Sequence, residues 1–303
     1  MMQRHLISTI FTAVAFAGAT QASSADIVCD EGKRYYGLAR DAGSSGDFGQ
    51  AAEWLRKSVA ACDSYAAWHL LGAAYLRQRD LQESLAAYEQ AVVHASTQDQ
   101  AAVSMARYGT VLALAGQRFE ALSMLERAVA AHSNPPSWIR ESARDLDLSL
   151  SETPISSDSI KRSLASQEFG LLAMSQIENK GNAARTNRAM IRIPINFKLD
   201  SVEMDDLTGG NIEELGSVLA SKEYEGRTFT LEGHTDIRGA WDHNLTLSER
   251  RAETARDILE AKFPELSGRL RVVGAGEARP KYPGESLPES DHRLNRRLEV
   301  FVN

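Results

Sequence analysis

Cysteine is almost missing from this chain: there are two in 303 residues, Cys29 and Cys62. An even pair is a disulfide candidate if the chain is exported, with two free thiols as the alternative. Long apolar runs are also scarce. Leu6 to Ala19 is apolar or small throughout but short for a bilayer-spanning helix, and no later stretch is apolar for long enough to cross a membrane. Nor do alternating apolar segments suggest an outer-membrane barrel. Positive charge is in deficit, with 34 Lys and Arg against 41 Asp and Glu and a formal net charge of −7. That balance argues against a nucleic-acid partner and offers anionic lipid no attraction.

Residues 1–25 have the composition of a secretory leader: Arg4 and His5 precede the apolar stretch, and cleavage is expected after Ala22 or Ala25. Cys29 follows Asp26-Ile27-Val28, which is not a lipoprotein processing context. The expected location is therefore the periplasm. Apolar content of 43% and charged content of 25% are ordinary for a folded chain, with room for two modest domains.

Residues 26–150 are expected to be all-α. Trp68-x-x-Leu71-Gly72-x-x-Tyr75, followed by Ser84, Tyr88 and Ala91, resembles a tetratricopeptide repeat, in which large residues fill the space between two helices and small ones let them approach. Tyr35 to Ser58 and Met105 to Ala128 read as degenerate copies, and Trp138 to Ser149 as a capping helix. A generic helical bundle is the alternative. By the resemblance, Lys33, Tyr36, Arg40, His69, Leu76, Ala106 and Thr110 face a concave groove suited to a protein segment. Residues 151–188 are expected to be a linker with a possible helix from Ile160 to Ile177.

Residues 189–303 are expected to form an α+β domain with four strands: Ala189 to Phe197, Arg227 to Glu232, Leu270 to Val273 and Leu298 to Val302. Helices are expected over Asp206 to Ser221 and Glu249 to Phe263, the second capped by Ser248, with Lys281 to His292 a long loop. Gly233-His234-Thr235-Asp236-x-x-Gly239 and Asn244-x-x-Leu247-Ser248-x-x-Arg251-Ala252 lie inside it, with Asn295-Arg296-Arg297-Leu298-Glu299 near the end. This ordered set resembles the C-terminal domain shared by OmpA, Pal and MotB proteins.

The resemblance implies a βαβαβ-type domain that binds peptidoglycan non-covalently. Its ligand is the diaminopimelate of the stem peptide, held by residues matching Asp236 and Arg251. Thr235 and Asn244 are expected to shape the loop, Phe197 to pack beside the ligand or in the core, and Arg296 to supply a basic group. Arg297 is expected to face solvent. His234, Asp236, Asp242 and His243 match no helical His-x-x-x-His or zinc spacing, so no metal is expected. No cofactor and no enzymatic activity are expected, because no Gly-x-Ser-x-Gly or nucleophile–base pattern is present. The sequence thus predicts a wall-binding adaptor that presents its repeats to an envelope protein. The alternative is a tether whose repeats act only as spacer or oligomerisation element.

Overall fold

Helices in the first half of the chain begin where a short polar side chain can take up a free N–H of the first turn. Asp47 accepts from the Gln50 amide at 2.9 Å, Asp80 from Glu83 at 3.3 Å, and Thr97 from Gln100 at 3.1 Å. They end where the backbone turns left-handed, at Gly46, Arg79 and Gly116. The computed structural model describes residues 29–178, 189–193, 197, 200–203, 206–284 and 286–303. The expected leader and the Asn179 to Asn187 stretch lie outside the described residues.

Eight helices come first among the described residues: α1 (Asp30–Ser44), α2 (Phe48–Ala61), α3 (Tyr65–Gln78), α4 (Leu81–Val93), α5 (Gln98–Leu114), α6 (Arg118–Ala131), α7 (Ser137–Leu150) and α8 (Ser157–Glu178). The remainder is β1 (Met190–Ile193), α9 (Asp206–Leu219), β2 (Phe229–His234), α10 (Trp241–Lys262), β3 (Leu270–Gly276), α11 (Glu289–Asn295) and β4 (Leu298–Val302). These described residues form two compact units. One contains 29–116, 124–139 and 172–178, and the other contains 117–123, 140–171 and the residues from 189 onward.

In the first unit, consecutive helices pack as hairpins, α1 on α2 and α3 on α4. The second hairpin shows why its sequence pattern matters. Tyr88 is fully buried, and its ring lies so close to Gly72 that a Cβ there would sit 2.8 Å from it. Ser84 Oγ donates to the Gly72 carbonyl at 2.8 Å, fastening the two helices at the same point. Cys29 and Cys62 form a disulfide with Cα atoms 6.0 Å apart, closing the first hairpin.

The second unit is built on a four-stranded sheet in the order β1-β4-β2-β3. β4 runs antiparallel to both β1 and β2, while β2 and β3 are parallel. Leu231, Leu298 and Val300 enter a core with Ile212, Leu215, Val218, Ala252, Ala255 and Leu259 of α9 and α10. Gly233 brings α10 onto the sheet: a Cβ there would lie 2.0 Å from the Ser248 carbonyl oxygen.

Two features of this unit depart from the sequence expectations. The segment expected to be a linker with a possible helix contains α8, and Ile155, Ile160 and Leu164 belong to this core. Its backbone is fixed as well, the Ile155 N–H donating to Asn211 Oδ1 at 3.0 Å and that of Ser157 to Glu214 Oε2 at 2.8 Å. The loop expected over Lys281 to His292 contains the first turn of α11.

Candidate functional site

The end of β2, the loop after it and the start of α10 form one concentration of buried charge. Thr235 continues the β2–β3 pairing, its N–H donating to the Gly276 carbonyl at 2.9 Å. The chain then turns at Gly239, whose φ of 111° suits glycine, and enters α10 at Trp241. Asn244 lies inside the turn. Its amide donates to the carbonyls of Arg238 at 3.2 Å and Asp236 at 3.4 Å, and to Glu277. Thus Asn244 shapes the loop through the backbone, whereas Thr235 is buried and fixed by its own amide.

Asp236 is only 4% exposed, and both its oxygens accept hydrogen bonds. Arg238 grips it with Nε on Oδ1 at 3.0 Å and Nη2 on Oδ2 at 2.8 Å, and the Arg238 amide adds a further bond to Oδ1 at 3.0 Å. Arg296 Nη1 reaches Oδ2 at 2.7 Å. Burial alone would raise the Asp236 pKa, but the bonds from Arg238 and Arg296 outweigh it and hold the carboxyl well below the usual carboxylate range. The outer ends of both arginines meet Glu289, Arg238 Nη1 at 2.8 Å and Arg296 Nη2 at 2.9 Å.

Arg251 is 1% exposed and belongs to the middle of α10. Its Nε donates to the Ser201 carbonyl at 2.9 Å, and its guanidinium carbon lies 4.9 Å from the centre of the Phe197 ring. Phe197 is therefore both buried and in cation–π contact with this guanidinium. Burial, and next the charge of Arg296, push the Arg251 pKa down to about 10, with Asp236 and Asp200 acting in the opposite sense. A carboxylate brought into this field would favour the charged guanidinium.

Several expectations need correction. Ser248 is not a helix cap: α10 starts at Trp241, and Ser248 is buried, donating to the Leu245 carbonyl at 2.8 Å and accepting from the Gly276 N–H at 2.9 Å. Arg251 consequently sits well inside the helix and not in its first turn. Arg297 does not face solvent. It is 8% exposed and donates to Glu299 at 2.7 Å, because its place in the alternation before β4 puts it on the same covered sheet face as Glu299.

On that face His234 Nε2 lies 3.0 Å from Glu232 and 3.4 Å from Glu299. These three groups are close enough to one another to surround a cation. Arg279 and Arg297 already pair with the two carboxylates, so the charge balance is that of an internal ion network. His243 lies apart from this group, 2.7 Å from Asp200.

The expected partner groove is also largely closed. Tyr36, His69, Leu76, Ala106 and Thr110 are buried, while Lys33 and Arg40 are exposed. His69 lies between Tyr65 and Tyr88 with Nδ1 2.7 Å from Ser104 Oγ, and Leu76 packs with Tyr88 and Val111. These are interhelical core positions.

Sequence reasoning left Arg238, Glu277 and Glu289 out of the site. Arg238 stands two residues from Asp236, a spacing that allows a local side-chain contact, but Glu289 comes from a distant part of the chain with no local signal.

The part of the chain that carries this site is similar to known proteins. A family model described as "OmpA family" matches residues 196–293. The chain is similar to outer membrane porin F of Pseudomonas aeruginosa, at 30% identity over 126 residues, 42% of this chain and 35% of that one. It is also similar to a peptidoglycan-associated lipoprotein of Legionella pneumophila, at 39% identity over 91 residues, 29% of this chain and 50% of that one. Among solved structures, the peptidoglycan-associated lipoprotein from Burkholderia pseudomallei aligns with 36% of this chain and 88% of its own, at 26% identity and a TM-score of 0.32. The chain spans half or less of the length of these two curated relatives. The family match therefore spans the Asp236 loop, α10 with Arg251, and Glu289, and leaves the helical unit outside it.

Proposed function

We propose that the chain is an exported, non-enzymatic protein of the periplasm that binds peptidoglycan through its C-terminal domain. Asp236 takes the ammonium at the free end of diaminopimelate in the stem peptide, and Arg251 takes the carboxylate on the same carbon. The observation that carries this reading is a carboxylate and a guanidinium buried to 4% and 1% exposure within one loop–helix unit. Burying charge is costly, and an opposite pair suited to a zwitterion gives that cost a use. Arg296 completes the pocket as a second cation, Phe197 orients Arg251, and Thr235 and Asn244 hold the loop. The name of the Legionella relative, a peptidoglycan-associated lipoprotein, supports the same reading.

Each charge-assisted contact contributes about 1.5–3 kcal/mol. The test is co-sedimentation of the purified chain with isolated sacculi. Excess meso-diaminopimelate should release it, and sacculi that carry lysine in place of diaminopimelate should not retain it. Equal retention by both kinds of wall would remove the ligand assignment.

For the helical repeats we propose an envelope-protein partner, as the resemblance to tetratricopeptide repeats implies. The burial of Tyr36, His69, Leu76 and Thr110 favours the second reading, in which the repeats space or oligomerise the protein. Cross-linking in intact cells, with and without residues 30–116, distinguishes a specific heterologous partner from self-association.

A further inference from the structure

Asp236 already has a guanidinium where the proposed ligand would put its ammonium. Arg238 approaches from the loop, with Nε on Oδ1 at 3.0 Å and Nη2 on Oδ2 at 2.8 Å, and covers both oxygens of the carboxylate. It is held from the other side by Glu289, at 2.8 Å from Nη1. Its side chain is 44% exposed and that of Glu289 63%, against 5% for Asp236. The arginine therefore lies on the solvent side of the buried carboxylate, between it and anything arriving from outside. Arg296 stands deeper, at 10% exposure, and contacts Asp236 through one nitrogen only.

We infer that Arg238, latched by Glu289, is a built-in competitor for Asp236 that makes the site selective for a zwitterion. This rests on the wall-ligand reading above and adds the residue that sets its selectivity. A ligand ammonium can reach Asp236 only as Arg238 gives up its two bonds. The ligand carboxylate that Arg251 takes has a second oxygen, which offers the displaced guanidinium a new partner, so the exchange is nearly balanced. An ammonium alone leaves Arg238 with only the exposed Glu289, which it shares with a second cation, Arg296. The closed arrangement thus discriminates by a penalty against the wrong ligand as much as by attraction to the right one.

Removing the Arg238 side chain should leave the loop standing. Asp236 keeps Arg296 and the Arg238 backbone N–H, and Asn244 still holds the carbonyls of residues 236 and 238.

The test is NMR titration of the full chain with two probes, meso-diaminopimelate and cadaverine, a diamine without carboxylates. The proteins compared are wild type, Arg238→Ala, Glu289→Gln and Asp236→Asn. In wild type, diaminopimelate should bind at least about tenfold more tightly than cadaverine. Arg238→Ala should raise cadaverine affinity about tenfold and shrink the ratio between the probes, since one competing charged pair is removed. Glu289→Gln, which releases only the outer hold on Arg238, should move cadaverine the same way by a smaller factor, and it decides the matter if Arg238→Ala does not fold.

Cadaverine affinity that stays the same or falls, while Asp236→Asn abolishes diaminopimelate binding, overturns the competitor and leaves the wall-ligand reading standing. Diaminopimelate that fails to bind wild type, or binds Asp236→Asn equally well, overturns that reading and the competitor with it.

Discussion

The two compact units bury polar groups of different kinds. In the helical unit the buried polar residues are serines, a threonine and two histidines: Ser58, Ser64, Ser84, Ser104, Thr110, His69 and His132. Among the described residues, every buried Asp, Glu and Arg belongs to the sheet-containing unit, including Glu232, Asp236, Arg251, Asp291, Arg296, Arg297 and Glu299. Hydroxyls in a helix interface are satisfied cheaply by a nearby carbonyl, as Ser84 is by Gly72, and serve packing. Buried charges demand partners on every side and seldom improve stability over an apolar core. Their confinement to one unit fits the recognition role proposed for that unit.

The largest expected effect comes from removing one of those charges. Asp236→Asn leaves Arg238 and Arg296 facing a neutral amide and should lower stability by about 3 kcal/mol at neutral pH. The acid limit follows from the same residue. Its folded pKa lies below the unfolded value near 3.8, so its contribution is complete above that value and is lost as pH falls below it. Denaturant melts at pH 7 and below about pH 4 check both, and the variant should differ least from wild type in acid.

Next is the helix contact at Gly72. Gly72→Leu must displace the Tyr88 ring and should cost about 1–3 kcal/mol. Gly116→Leu has open space around it and suffers only from its positive φ, worth about 1 kcal/mol. Equal melting temperatures for the two variants would break the packing half of the comparison.

His69 sharpens the contrast through pH. Burial, and next the charge of Arg107, hold its folded pKa at about 3, against 6.5 for an unperturbed histidine. The unfolded chain therefore takes up the proton first. Stability is complete above about 6.5 and falls with pH, by about 2 kcal/mol at about pH 5. The helical unit should weaken in mild acid, where Asp236 is still ionised, and His69→Asn should flatten that slope. Tryptophan emission from Trp54 and Trp68, which belong to the helical unit, reports it.

The last comparison sets two serines against each other, one in each unit. Ser84→Ala loses a bond to a carbonyl and should cost about 1 kcal/mol, whereas Ser248→Ala also strands the buried Gly276 N–H and should cost up to about 3 kcal/mol. Thermal melts of the two variants give the order.

The sequence disclosed packing more readily than electrostatics. Gly72, Ser84 and Tyr88 could be read because helix contacts repeat with helical spacing, and the OmpA-like order of glycines around Asp236 marked the loop. The start of α10 was hidden because Ala240 precedes it without a side-chain cap, so Ser248 attracted the assignment instead. Arg297 looked solvent-bound because nothing in β4 itself reveals that both sheet faces are covered. The Arg238–Glu289 contact joins residues 51 apart, and no local pattern encodes such a pairing.

The central claim is that the buried charges of Asp236 and Arg251 exist for the wall. Its most direct test is quantitative co-sedimentation with diaminopimelate-type sacculi of wild type, Asp236→Asn, Arg251→Lys and the exposed Arg250→Ala, each shown to be folded by circular dichroism. The account predicts that Asp236→Asn loses at least about tenfold in affinity. Arg251→Lys should recover little, because an ammonium lacks the planar two-donor fork, and Arg250→Ala should match wild type. A folded Asp236→Asn that sediments like wild type would contradict it.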